Sequence, residues 1–112
     1  MKRIETIVKP YKVDEVKAAL VKEGIENMTF TEVGAFSQHS GYVKVYRGVK
    51  EEVDILPKMR IEVIVRDDQV KMITNVIIAA LREGRRCDGQ VTVLPVEDVI
   101  HIRSTPTGVY VH

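Results

Sequence analysis

From residue 59 to residue 65 the chain alternates without a break. Met59, Ile61, Val63 and Val65 fall on one side of an extended backbone, and Arg60, Glu62 and Ile64 on the other. Successive strand side chains point to opposite faces, so this run predicts a strand with one face in a core and the other turned away from it. Helical periods flank it. In the earlier one Val13, Val16 and Leu20 recur at helical spacing, with Asp14 and Glu15 in the first turn, where the helix dipole favours acids, and Gly24 as the expected stop. In the later one Val70, Ile73, Val76, Ile77, Ala80 and Leu81 make a wide apolar face, with Asp67 or Asp68 as the expected cap and Gly84 as the expected stop.

Four further runs read as strands. At 3–9, Ile4, Thr6 and Val8 alternate with Arg3, Glu5, Ile7 and Lys9 up to Pro10, and residues 28–36 are rich in β-branched and aromatic side chains. Residues 91–96 make a fourth strand, and 99–103 a short last one. The order β-α-β-β-α-β with a tail strand predicts an α+β, ferredoxin-like sandwich, with two helices on one face of an antiparallel sheet. A chain of 112 residues encloses one core, so residues 1–112 form a single domain. The other sheet face, with Ile7, Ile64, Leu94 and Val96, is left bare. Covering roughly 1,000 Å² or more of it takes a partner. An oligomer is expected.

Residues 37–56 do not fit an ordinary connection. About twenty residues join two strands that two to five would normally link. The stretch carries Gly41, Arg47, Gly48 and the alternating Lys50, Glu51 and Glu52. A loop of this length in a compact domain is usually functional, and an interaction loop is expected.

Several function classes drop out. Seventeen basic residues face sixteen acidic ones, a net charge of +1, without the basic excess of a nucleic-acid binder. RNA-recognition modules of this fold stack bases on aromatic side chains of the central strands, and residues 59–65 hold none. An acylphosphatase would need a glycine-rich phosphate loop after the first strand, where Lys9, Pro10, Tyr11 and Lys12 stand instead. No nucleophile stands with a base at diagnostic spacing, so no enzyme is predicted. His39, His101 and His112 are too scattered for a metal motif. Cys87, the single cysteine, has no disulfide partner within the chain and reads as a loop thiol. That fits a reducing compartment. With no apolar leader and no apolar run longer than residues 76–81, a cytoplasmic protein without membrane insertion is expected.

One segment suggests anion chemistry. Glu83, Gly84, Arg85, Arg86, Cys87, Asp88 and Gly89 stand between a helix and a strand. Glycines let backbone N–H groups approach a phosphate, and arginines supply bidentate donors. A tight Asp-Gly turn with solvated arginines is the other reading of the same residues.

Longer patterns converge on one family. Residues 1–10 (Met-Lys-Arg-Ile-Glu-Thr-Ile-Val-Lys-Pro), Lys12 to Val16, Tyr46-Arg47-Gly48, residues 54–59 (Asp-Ile-Leu-Pro-Lys-Met) and residues 93–97 (Val-Leu-Pro-Val-Glu) together resemble the nitrogen regulatory PII signal-transduction proteins up to about residue 104. The resemblance implies a homotrimer with adenine-nucleotide sites in the clefts between neighbours. It also implies a T-loop, here about 37–56, that docks on a target: an ammonium or other membrane transporter, an enzyme or a regulator. Thr29, Glu62 and Ile64 match the adenine pocket. Gly84, Arg85, Cys87, Asp88, Gly89 and Gln90 fall in the phosphate-cradling B-loop, about 82–90. His101 and Arg103, in a C-terminal segment of about 99–112, match two arginine positions that reach across from the neighbouring subunit. Lys58, with Gln38 and His39, falls where 2-oxoglutarate and magnesium are held. Tyr46, Arg47 and Gly48 stand at the partner-contacting tip.

The departures matter as much. The family usually has glycine at 87, lysine at 90, arginine at 101 and glutamine at 39, where this chain has Cys87, Gln90, His101 and His39. Two cations facing phosphate are lost, so ADP or AMP is expected to bind at least as well as ATP, and magnesium is not expected in its usual place. Glu51 and Val49 stand where relatives carry a modifiable tyrosine or serine, so the T-loop is expected to work unmodified. The alternatives are a trimer of this fold that answers to another anion, or to a metal ion through His39, and a constitutive adaptor.

Overall fold

In a computed structural model, which describes residues 1–36, 42–87, 89–105 and 108–111, the alternating run at 59–65 lies inside the sheet. In chain order the elements are β1 (Lys2–Val8), α1 (Val13–Lys22), β2 (Thr29–Phe36), β3 (Tyr42–Tyr46), β4 (Val49–Val53), β5 (Ile55–Val65), α2 (Val70–Leu81), β6 (Val91–Pro95), β7 (Ile102–Thr105) and β8 (Gly108–Val111). Short 3₁₀ turns at Pro10–Lys12 and Asp67–Gln69 lead into the helices. One sheet has the order β2-β5-β1-β6 with every neighbour antiparallel, the ferredoxin-like arrangement.

The register sets the two faces. Ile4 pairs with Val63 and Thr6 with Ile61, and these side chains are buried. Val16 and Leu20 of α1 and Ile73, Ile77 and Leu81 of α2 close over them, forming one core with Val8 and Val65. Thr6, also buried, directs its hydroxyl to the carbonyl of Gln90 at 3.1 Å. A buried hydroxyl without a partner is costly, so this bond both satisfies Thr6 and anchors the chain just before β6. The opposite face carries Arg3, Glu5 and Ile7 of β1 beside Ile64, Glu62 and Arg60 of β5. Glu5 lies directly opposite Glu62, a like-charge pairing offset by Arg3–Glu5 at 3.0 Å and Arg60–Glu62 at 2.7 Å. Ile7 and Ile64 are exposed there, and no helix among the described residues covers them.

The structure departs from the sequence reading at several element ends. The 3₁₀ turn before α2 is closed by Gln69, whose side chain accepts the backbone N–H of Arg66 at 3.0 Å, and not by Asp67 or Asp68. Asp67 instead meets the α-amino group of Met1 at 3.0 Å. The helix α2 ends at Leu81, three residues before Gly84. The strand expected from 59 begins at Ile55, and the tail strand begins at Ile102 and folds back as the β7–β8 hairpin.

The greatest difference lies within residues 37–56. From Tyr42 to Val53 the chain is a hairpin, β3 on β4, turning at Arg47 and Gly48. Both turn residues have positive φ, 52° and 78°, the combination that a two-residue hairpin loop matching strand twist requires. The two hairpins form sheets of their own. The radius of gyration, 18.1 Å, exceeds the roughly 13 Å of a compact chain of this length accordingly.

Candidate functional site

Two pockets collect six of the sequence-predicted site residues, Lys58 and Gly89 in one and Thr29, Glu62, Ile64 and His101 in the other. The first is a small cavity of about 160 Å³ where the end of β1, the start of α1, β5 and the 82–90 segment meet. Lys9, Lys12, Lys58 and Arg86 line it with Glu83 and Gly89. Four cationic groups against one carboxylate give its polar lining a net positive charge. Lys58 reaches it because Met59 is the Cα partner of Val8, which sets Lys58 beside Lys9 at the end of β1. Gly89 closes it against Leu81, whose Cδ1 would stand 3.2 Å from any added Cβ.

Charge in this cavity is ordered by contacts. The Lys12 side chain is only 9% exposed, and its ammonium lies 3.1 Å from Glu15 and 3.6 Å from Glu83. The hydrogen bond to Glu15 outweighs desolvation and holds Lys12 above its ordinary value of 10.5. Tyr11 donates its phenolic O–H to Glu83 at 2.8 Å. That bond, with the Lys12 and Lys9 charges, holds Glu83 below its ordinary 4.5. Glu83 and Arg86 exchange backbone hydrogen bonds at 2.7 and 2.9 Å around a tight turn.

The second pocket is larger, about 650 Å³, and lies at the far end of the open sheet face. Thr29, Glu62, Ile64 and His101 line it, with Arg3 and Met28 among the others. Thr29 is the Cα partner of Glu62, so the pairing of β2 with β5 puts them together. Lys58 stands four residues from Glu62 along the same strand, or about 13 Å. The predicted residues thus divide into two groups that one chain does not join.

Some expected residues fall elsewhere. Arg85 and Gly84 are exposed in the turn, outside the cavity wall, and Arg86 takes the place expected of Arg85. Cys87 is exposed, its thiol directed at the carbonyl of Ile78 at 3.4 Å. Gln90 is held by its backbone carbonyl, and Arg103 lies on β7 with Tyr110 as its strand partner, away from both pockets. Tyr46, Arg47 and Gly48 form the exposed hairpin tip, with the guanidinium of Arg47 5.3 Å from the Tyr46 ring centroid. Gln38, His39 and Asp88 lie outside the described residues.

Lys9 and Lys12, which flank Pro10 and Tyr11, read in the sequence as solvated charges. The alternation of β1 was a signal for Lys9, since it places that residue one step past the core-facing Val8. No resident magnesium ion fits the described donor set. Apart from apolar Ile7, Val8 and Leu81, the side chains of the cavity wall end in ammonium and guanidinium groups, and its one carboxylate already accepts from Tyr11.

Comparison with known proteins agrees with this architecture. The family model described as nitrogen regulatory protein P-II matches residues 1–106. A nitrogen regulatory protein P-II of Cereibacter sphaeroides is 44% identical over 108 residues, 96% of each chain. One from Nostoc punctiforme is 46% identical over 104 residues, 93% of each chain. A crystal structure of Arabidopsis thaliana PII bound to citrate superposes with a TM-score of 0.69 at 33% identity, covering 89% of this chain and 80% of that one. No helix among the described residues is long and apolar enough to cross a membrane. With a ferredoxin-like sheet, an open face and a family match over nearly its whole length, the chain belongs to the nitrogen regulatory P-II family of signal-transduction regulators and is not an enzyme.

Proposed function

We propose that this chain is a homotrimeric cytoplasmic sensor that binds an adenine nucleotide between neighbouring copies and signals through the β3–β4 hairpin. The observation that carries the reading is the division of the site. One group, Lys58, Arg86 and Gly89 with Lys9 and Lys12, offers a cation-lined cavity of about 160 Å³. That is below the roughly 300 Å³ at which small-ligand pockets begin. The other group, Thr29, Glu62, Ile64 and His101, offers a separate pocket suited to a base. A second copy laid on the open face brings one chain's cavity against its neighbour's pocket, with Arg103 carried across on β7. Phosphate then meets cations, and adenine meets the strand pair of Thr29 and Glu62.

ADP or AMP binds at least as well as ATP on this reading. Gln90 and His101 stand where two cations are usual, and Arg86 supplies one cation to the cavity wall. The same wall suits a carboxylate anion at Lys58, the class to which the citrate of the Arabidopsis relative belongs. Gln38 and His39 remain candidates beside it. Ligand at this junction orders the base of the hairpin, and the tip, Tyr46 to Gly48, meets a target protein.

The test is calorimetry of the purified protein against AMP, ADP, ATP and 2-oxoglutarate, with and without magnesium, alongside light scattering. A trimer that binds ADP no more weakly than ATP is expected. A stable monomer, or the absence of any nucleotide binding, overturns the reading.

A further inference from the structure

The 82–90 segment carries Arg86 and Gly89 into the cavity wall between the end of α2 at Leu81 and the start of β6 at Val91. Within it, Glu83 and Arg86 exchange both backbone hydrogen bonds, and Gly84, at φ +59°, takes the first central position of the turn. A type II′ hairpin loop wants glycine at that position. Such bonds fix the shape of the turn but not where it sits.

Its location is set from outside. The Glu83 carboxylate accepts the Tyr11 hydroxyl at 2.8 Å and faces the Lys12 ammonium at 3.6 Å. Lys12 is itself pinned by Glu15 at 3.1 Å with 9% of its side chain exposed. An exposed ion pair would contribute little, but Lys12 is nearly buried and held in place by Glu15, so its ammonium gives Glu83 a fixed charge to face. We infer that Tyr11, Lys12 and Glu83 form a latch tying the 83–86 turn to the start of α1, which makes Tyr11 and Glu83 positioning residues for the anion cavity. The latch holds Arg86 against Lys9, Lys12 and Lys58. Tyr11 does not line the cavity, so its hydroxyl acts only through the turn. The inference rests on the reading of that cavity as the phosphate side of a nucleotide site.

The experiment compares wild type, Tyr11→Phe, Glu83→Gln and Glu83→Ala in two measurements. Hydrogen exchange of the Glu83 and Arg86 amides, taken without ligand, reports the turn. Calorimetry with ADP and with adenosine separates the phosphate from the base. Tyr11→Phe and Glu83→Ala accelerate exchange and weaken ADP by about twofold to tenfold, the range of one lost hydrogen bond, while adenosine is unchanged. Glu83→Gln, which keeps an acceptor for Tyr11 but loses the charge facing Lys12, gives exchange and ADP binding between those of wild type and Glu83→Ala. Unchanged exchange in Tyr11→Phe and Glu83→Ala overturns the latch, and faster exchange with unchanged ADP affinity overturns its positioning role. If wild type binds neither ADP nor adenosine while exchange still accelerates in Tyr11→Phe, the latch stands and the nucleotide reading fails.

Discussion

The layered body and the β3–β4 hairpin use the same apolar residues to opposite ends. In the body, Val63 is 3% exposed and Ile61 1%, whereas Val45 in the hairpin is 61% exposed and Val49 67%. Burial of the first kind stabilises the fold. Val45 and Val49 bury little within the chain, and a two-stranded hairpin alone is marginal in water. Apolar side chains held on a protruding ribbon point to contacts outside the chain.

The largest expected effect separates the two regions directly. Ile61→Ala removes a core side chain and lowers unfolding free energy by about 2–5 kcal/mol, whereas Val45→Ala stays within about 0.5 kcal/mol. Denaturant titration of both variants measures this. Equal losses would mean that the hairpin packs as part of the core.

Next comes the division between the two pockets. Lys58→Ala and Arg86→Ala should each weaken ADP by about tenfold to a hundredfold, the range of a charge-assisted hydrogen bond, and leave adenosine within about twofold. Parallel losses for ADP and adenosine would place the base, not the phosphate, in the cavity.

A smaller effect tests the hairpin tip. Gly48 has φ +78°, so Gly48→Ala should cost the hairpin about 1 kcal/mol while leaving the midpoint of global unfolding in place. Cross-strand proton contacts between Tyr46 and Val49 report its population. A matching fall in global stability would join hairpin and body into one cooperative unit.

The smallest effect is one of pH. Glu83 is depressed, so its contribution is present above the ordinary carboxylate value of 4.5 and is lost as pH falls through its lowered value. Lys12 is raised, so its contribution is present below 10.5 and is lost as pH rises through its raised value. Exchange protection of the 83–86 turn, corrected for intrinsic rates, should be level between those limits and decline outside them. A step near neutrality would assign control to another group.

Legibility in the sequence followed burial. The alternation of β1 and β5 and the helical periods of α1 and α2 could be read because each element has one face in the core. Pro57 hid the first part of β5, since proline usually marks a strand's edge or end. The β3–β4 hairpin was hidden because Val43, Val45 and Val49 are exposed, so burial gave no face to read, and Arg-Gly is not among the strong turn dipeptides. The site was legible in part. Spacing and resemblance reached Lys58, Thr29, Glu62 and Gly89, but not the choice of Arg86 over Arg85. That choice depends on a two-residue turn that puts Arg86 in the paired position. Nor did they reach Lys12, whose charge partners are Glu15 and, far along the chain, Glu83.

The central claim is a site shared between copies, and subunit mixing tests it most directly. One variant carries Lys58→Ala with Arg86→Ala, and the other carries Thr29→Ala with His101→Ala, each spoiling one half. Each alone should bind ADP poorly. Co-assembled at equal ratio, the two should recover wild-type affinity at about one site in four, because in a ring of three each site draws one half from each neighbour. Calorimetric stoichiometry reads that fraction. Recovery near one in four is the predicted result, and its absence in verified mixed trimers would place the whole site within a single chain.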